Sequence, residues 1–104
     1  MDCLFCNIAT KKVSSEIVTE DEDFLAFRDI YPKARIHLLV IPKRHIESLK
    51  DIGGRDSDLI GRLMLKVAEI AREQGLEGYK VGINVGKKGG QEVDHLHIHL
   101  LGNA

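Results

Sequence analysis

The hydrophobic positions of this chain follow two rhythms. In "DSDLIGRLMLKVAEIAREQ", residues 56–74, Leu59, Leu63, Val67, Ile70 and Ala71 return at helical spacing, which predicts one long amphipathic helix. Asp56 or Ser57 is its natural N-cap and Gly75 its natural stop, while Gly61 weakens it slightly. Elsewhere the period is two. Residues 16–20 and 24–28 predict a pair of strands joined by the acidic turn Asp21-Glu22-Asp23. In the second of these, Phe24, Ala26 and Arg28 share one face, and Leu25 and Phe27 the other. "IHLLVIP" is β-branched and apolar, hence a central strand ended by Pro42. "YKVGINV" and "HLHIHLL" predict two more strands on either side of the glycine-rich turn "GKKGG". "LFCNIATKK" reads as a short N-terminal helix, and Pro32 makes a loop of "DIYPKAR". One long helix among mainly sequential strands predicts an α+β fold with an antiparallel five-stranded sheet. The 104 residues suit a single domain, 1–104.

The last strand carries an unusual face. Alternation turns His95, His97 and His99 to one side and Leu96, Ile98 and Leu100 to the other. A single strand histidine is ordinarily a hydrogen-bonded or surface side chain; three in strict alternation point to chemistry. One reading is a metal site, the other a nucleophile with supporting imidazoles. A neutral imidazole is a competent nucleophile near pH 7 because its unperturbed pKa is about 6.5. Toward phosphorus it forms a phosphoramidate-type intermediate, and a neighbouring protonated histidine can assist the leaving group. Just upstream, Gly86, Gly89 and Gly90 allow backbone N–H groups to converge on an anion, although a plain hairpin turn reads the same way. Asn84 adds an amide donor at the end of the preceding strand.

Composition narrows the partners. The chain is 43% hydrophobic and 30% charged with net charge -1, and its basic residues form no run beyond short pairs such as Lys11-Lys12 and Lys87-Lys88. That excludes the electrostatic footprint of a nucleic-acid polymer and leaves room for a local site holding one small anion. The start "MDCLFCNIAT" has no basic n-region, and no apolar run approaches the roughly 18 residues of a membrane span. A cytoplasmic chain with no membrane association is therefore expected. Cys3 and Cys6 form a C-x-x-C, which in a reducing compartment suggests metal ligation or redox chemistry before a disulfide; two free thiols are the plainer alternative.

"HLHIHLL" fits the pattern H-φ-H-φ-H-φ-φ, with φ apolar, at all seven positions, and the chain resembles the histidine triad (HIT) superfamily, closest to its Hint branch. The resemblance extends through "FLAFRDIYPKARIHLLVIPKRHI", "GYKVGINVG" and "GGQEVDHLHIHLLG". It implies a HIT fold and a nucleotide hydrolase or transferase acting at the α-phosphate of AMP or GMP phosphoramidates or acyl-nucleotides. By matching position, His97 is the nucleophile, His99 contacts the phosphate and leaving group, and His37 is a supporting imidazole. Asn84, Gly90 and Gln91 surround the phosphate, and Asp29 binds the ribose. Phe5, Phe27, Ile30 and Leu39 match the wall that holds the base, with Arg28 standing where some relatives carry His. Glu92 takes a position that is a small hydroxyl residue in several relatives; a carboxylate there repels the phosphate, so Glu92 is expected to point away. In bacterial relatives with a C-x-x-C, zinc is held by a Cys₂His₂ set, which here maps to Cys3, Cys6, His45 and His95. Such a zinc is structural, and no catalytic metal is required. The resemblance also implies a homodimer in which strand and helix of two subunits extend one sheet. Three rivals remain: a dinucleoside polyphosphate hydrolase of the Fhit type, a non-catalytic nucleotide-binding scaffold, and a catalytic metal held by all three triad histidines.

Overall fold

Seven regular elements carry the architecture, taken from a computed structural model that describes residues 3–103. They are α1 (Leu4–Ala9), β1 (Ile17–Glu20), β2 (Phe24–Arg28), β3 (Ile36–Pro42), α2 (Ser57–Glu73), β4 (Tyr79–Gly82) and β5 (Ile98–Gly102). The strands form one five-stranded sheet in the order β1-β2-β3-β5-β4, antiparallel at every junction. Sequential neighbours pair through short turns, as at Asp21, whose carboxylate accepts the N–H groups of Asp23 and Phe24 at 2.9 and 2.8 Å. The expected α+β class and antiparallel sheet are what the chain forms.

The central strands are largely apolar because both faces of the sheet are covered. Phe24, Ala26, Leu38, Val40, Ile98 and Leu100 point to one side and pack under α2. That helix buries Leu63, Val67, Ile70 and Ala71 along one stripe. Each large side chain so buried contributes about 1.5–3 kcal/mol. Leu25, Phe27, Leu39 and Ile41 point to the other side, where Phe5 and Ile8 of α1 cover them. α1 is too short to cover the whole face, and the site lies where that cover ends.

Element boundaries differ from expectation at informative places. α1 stops at Ala9 rather than running through Lys12, because Lys11 takes a left-handed φ of 67° and Lys12 and Val13 both donate to the Asn7 carbonyl. Asp56 sits at the N-cap position of α2 but turns its carboxylate to the Gly53 N–H and to Arg44. Gly75, with φ 73°, ends the helix as expected. The last strand begins only at Ile98, so His95 and His97 precede the ladder. Their segment bonds elsewhere: the Leu96 N–H donates to the Ile46 carbonyl at 2.6 Å and the His95 N–H to that of Val93 at 2.8 Å. β4 accordingly ends at Gly82, opposite His99, instead of continuing to Val85. The two-sided alternation survives this change, since Leu96 joins Ile98 and Leu100 in the core under α2. Among the described residues no helix is long and apolar enough to cross a membrane.

Candidate active site and metal centre

An open cavity of about 350 Å³ occupies the sheet face that α1 leaves uncovered. Phe5, Phe27, Ile30 and Leu39 form apolar wall on its lining. Asp29, His37, His97 and His99 line it as well, together with Asn84 and Gly90. Sheet register explains this convergence. Phe27, Leu39 and His99 stand directly opposite one another on β2, β3 and β5, and His37 is the diagonal neighbour of His99.

The protons of the imidazoles are assigned by their partners. The Lys33 backbone N–H donates to His37 Nδ1 at 3.1 Å, so a neutral His37 carries its proton on Nε2. That nitrogen lies 2.9 Å from His99 Nδ1 and 3.4 Å from a carboxylate oxygen of Asp29. His37 therefore donates, His99 accepts on Nδ1, and the remaining proton of His99 sits on Nε2. This Nε2 is buried and has no partner among the described residues. A buried donor left unpaired costs about 1–3 kcal/mol, which an incoming acceptor would relieve. Burial pushes the pKa of both His37 and His99 below the ordinary imidazole value, keeping the pair neutral.

His97 has the opposite tautomer. Its Nδ1 lies 2.7 Å from the carbonyl oxygen of His95 and must donate to it, leaving a lone pair on Nε2. The rings of His97 and His99 are 5.1 Å apart, centroid to centroid. A nucleophilic nitrogen and a hydrogen-bond donor thus sit side by side at one cavity wall.

Asp29, His37 and His99 bring donor atoms close enough to hold a metal. The Lys33 N–H argues against it, because it keeps the proton on the nitrogen that a metal would need. Asp29 Oδ1 also accepts from the Tyr31 N–H at 2.9 Å, which closes the turn into the loop.

A second cluster lies deeper. Cys3, Cys6, His45 and His95 offer four ligand atoms within 4.8 Å of one another. His95 Nδ1 is 3.2 Å from Cys3 Sγ, 3.6 Å from Cys6 Sγ and 3.2 Å from His45 Nδ1, and Cys6 Sγ is 3.4 Å from His45 Nδ1. A tetrahedron built from zinc–ligand bonds of about 2.0–2.3 Å has edges of about 3.3–3.8 Å. The tautomer agrees: His95 Nε2 donates to the Pro42 carbonyl at 2.8 Å, which leaves Nδ1 free to ligate. Burial and the neighbouring Cys3 push the Cys6 thiol up in the protein alone, and a divalent cation is the charge that reverses this. The donor set fits zinc with all four positions filled. Since His95 faces this cluster, a single metal held jointly by His95, His97 and His99 has no place in the structure.

One expectation is corrected. Gln91 does not line the cavity. Its side chain holds the glycine loop from behind: Oε1 accepts the Gly86 N–H at 2.9 Å, and Nε2 donates to the carbonyls of Glu47 and Val93 at 2.6 and 3.0 Å. Glu92, two residues on from Gly90, is exposed and stands among the residues that line the cavity. Sequence reasoning also missed Val13, Ser14, Ser15 and Lys33, which line the cavity from loops that no motif marks.

Comparison with known proteins shows the family and the fold. Residues 2–104 match the family model described as scavenger mRNA decapping enzyme C-term binding. Protein HitA of Neisseria gonorrhoeae is 50% identical over 102 residues, covering 97% of this chain and 95% of the relative. The crystal structure of a HIT family hydrolase from Legionella pneumophila Philadelphia 1 superposes with a TM-score of 0.96 at 45% identity, covering 99% of this chain and 94% of that one. A zinc-bound histidine triad family protein from Mycobacterium smegmatis superposes with a TM-score of 0.83 at 35% identity, over 100% of this chain and 76% of that one. On its sequence, fold and clustered histidines, this chain belongs to the histidine triad (HIT) superfamily.

Proposed function

We propose that this chain hydrolyses nucleoside monophosphate derivatives, AMP or GMP phosphoramidates and acyl-nucleotides, through a nucleotidyl-His97 intermediate. The observation that carries this reading is the pairing of opposite tautomers: a lone pair on His97 Nε2 beside an unpartnered N–H on His99 Nε2. His97 Nε2 forms a bond to the α-phosphorus as the bond to the leaving nitrogen or oxygen breaks; the His99 Nε2–H hydrogen-bonds the leaving atom, which takes its proton from solvent, so His99 stays neutral. Water then attacks the same phosphorus, releases a proton to solvent, and the His97–phosphorus bond breaks, returning its electron pair to His97 Nε2. The Gly90 backbone and the Asn84 amide serve the phosphate oxygens. Asp29 takes the ribose hydroxyls, and Phe5, Phe27, Ile30 and Leu39 hold a purine.

Zinc at Cys3, Cys6, His45 and His95 supplies a cross-link between α1 and the sheet, with no coordination position left for substrate. A homodimer is part of the same reading: β4 is an edge strand exposing Tyr79 and Val81, and α2 exposes Met64 and Leu65. Light scattering of the purified chain tests it.

Glu92 favours phosphoramidates over the dinucleoside polyphosphate rival. A carboxylate on the cavity lining repels a polyphosphate leaving group and attracts a cationic amine. The experiment for the central reading is mass spectrometry after rapid mixing with an AMP phosphoramidate. An AMP adduct on His97, absent in His97→Ala, is expected; no adduct and no hydrolysis with several nucleotides overturns it. If His97→Ala rescues the cellular phenotype, the scaffold reading takes its place.

A further inference from the structure

We infer that Phe5 is a positioning residue through which the metal centre sets the shape of the nucleotide cavity and the orientation of the His97 imidazole; the inference rests on the nucleotide reading of that cavity. Phe5 lies between the two cysteines, in Cys3-Leu4-Phe5-Cys6, so ligands flank it on both sides. Its ring, 4% exposed, meets three others edge to face: His97 at 5.0 Å and 86°, His95 at 5.9 Å and 67°, and Phe27 at 5.3 Å and 69°. One aromatic side chain therefore touches a metal-site histidine, the candidate nucleophile and the base wall.

His95 makes the second connection. Its Nδ1 faces the cysteines, while its carbonyl oxygen accepts the His97 Nδ1–H that leaves the lone pair on Nε2. A metal holding Cys3, Cys6 and His95 together fixes the Phe5 ring and that carbonyl in one frame. Without it, α1 is a six-residue helix whose N-terminal turn is held by the Asn7 N–H on the Cys3 carbonyl at 2.9 Å, a 3.4 Å bond from the Cys6 N–H to Cys3 Sγ, and apolar packing. Helices of that length are marginal by themselves. Leu4, Phe5 and Ile8 all line the cavity, so a loosened α1 both widens the base wall and frees His97 to rotate.

The test measures AMP binding by calorimetry, the His97 tautomer by ¹⁵N nuclear magnetic resonance, and zinc content, in the full chain. Chelation of wild type is expected to weaken AMP binding by about tenfold and to mix the His97 tautomers. Phe5→Ala, loaded with one zinc per chain, is expected to show the same two changes, and Phe5→Leu a smaller version. Chelating Phe5→Ala should then alter AMP binding by less than about twofold, because the connection is already cut. A zinc-loaded Phe5→Ala with wild-type AMP affinity and a single His97 tautomer overturns the inference, as does equal sensitivity of Phe5→Ala and wild type to chelation. If chelated wild type unfolds by circular dichroism, the loaded variants decide. If loaded wild type fails to bind AMP, the nucleotide reading falls, and the tautomer signal alone decides whether Phe5 links the metal centre to His97.

Discussion

His37 Nε2 stands 2.9 Å from His99 Nδ1, and this one bond decides which nitrogen of His99 carries the free proton. The Lys33 N–H behind His37 makes the direction one-way. Removing His37 while keeping volume, as in His37→Asn, lets His99 populate both tautomers. On the proposed mechanism, kcat for an AMP phosphoramidate falls by about 10- to 100-fold, and more with a poor amine leaving group than with a good one. In a His99→Ala background the same substitution should cost almost nothing. Full additivity in that double mutant would show that His37 acts by another route.

Burial holds the pKa of both His37 and His99 below the unfolded value of about 6.5. The unfolded chain then binds more protons than the folded one once pH drops below about 6.5. Stability is fully present above that pH and declines as pH falls toward the folded values. Urea midpoints at pH 7.5, 6.5 and 5.5, taken in chelator for wild type and for His37→Asn, should show the steeper acid loss in wild type. Parallel curves would mean that other groups govern the acid limb.

Glu92 predicts a change of preference rather than of rate alone. Glu92→Gln should lower kcat/KM for a lysine-linked AMP by about 3- to 10-fold and raise it for a diadenosine polyphosphate. Competition kinetics with the two substrates read this directly. Equal effects on both would remove Glu92 from selectivity.

Gly102 is required by close packing, not by turn geometry. A Cβ there would lie 2.9 and 3.0 Å from the two methyl carbons of Leu76 and 3.3 Å from the Tyr79 Cβ. Gly102→Ala should destabilise the fold by about 1–3 kcal/mol. The pair Gly102→Ala with Leu76→Val should recover part of that loss in thermal melts; no recovery would place the strain on Tyr79 instead.

The donor set of Cys3, Cys6, His45 and His95 predicts about one zinc per chain by elemental analysis of wild type and much less in Cys6→Ser. Chelation should lower the melting temperature of wild type and leave that of Cys6→Ser nearly unchanged. Catalysis is expected to persist at a reduced level in the chelated protein, since no step of the proposed mechanism passes through the metal.

Much of this molecule is legible along the chain because local periods and tertiary burial agree. The 3.6 rhythm of residues 57–73 becomes the stripe under α2, and the unbroken apolar run 38–42 becomes the stretch of β3 covered on both faces. The spacing of Cys3 and Cys6 and the alternation at His95, His97 and His99 are enough to single out the chemistry-bearing residues. What the chain alone leaves open is how those residues divide. Three histidines at equal spacing look equivalent, yet the Pro42 carbonyl turns His95 to the cysteines, the His95 carbonyl frees Nε2 of His97, and His37 sets the proton of His99. Each of these partners is a backbone or side-chain atom delivered by folding, and no periodicity encodes it. The same holds for Gln91 and Glu92, neighbours in sequence with opposite fates: Gln91 is consumed by three backbone groups behind the loop, and Glu92 is left at the cavity. Sequence determines which residue types are available and which face of the sheet they share. Only tertiary contact, by satisfying one nitrogen of each imidazole and not the other, decides what each histidine can do.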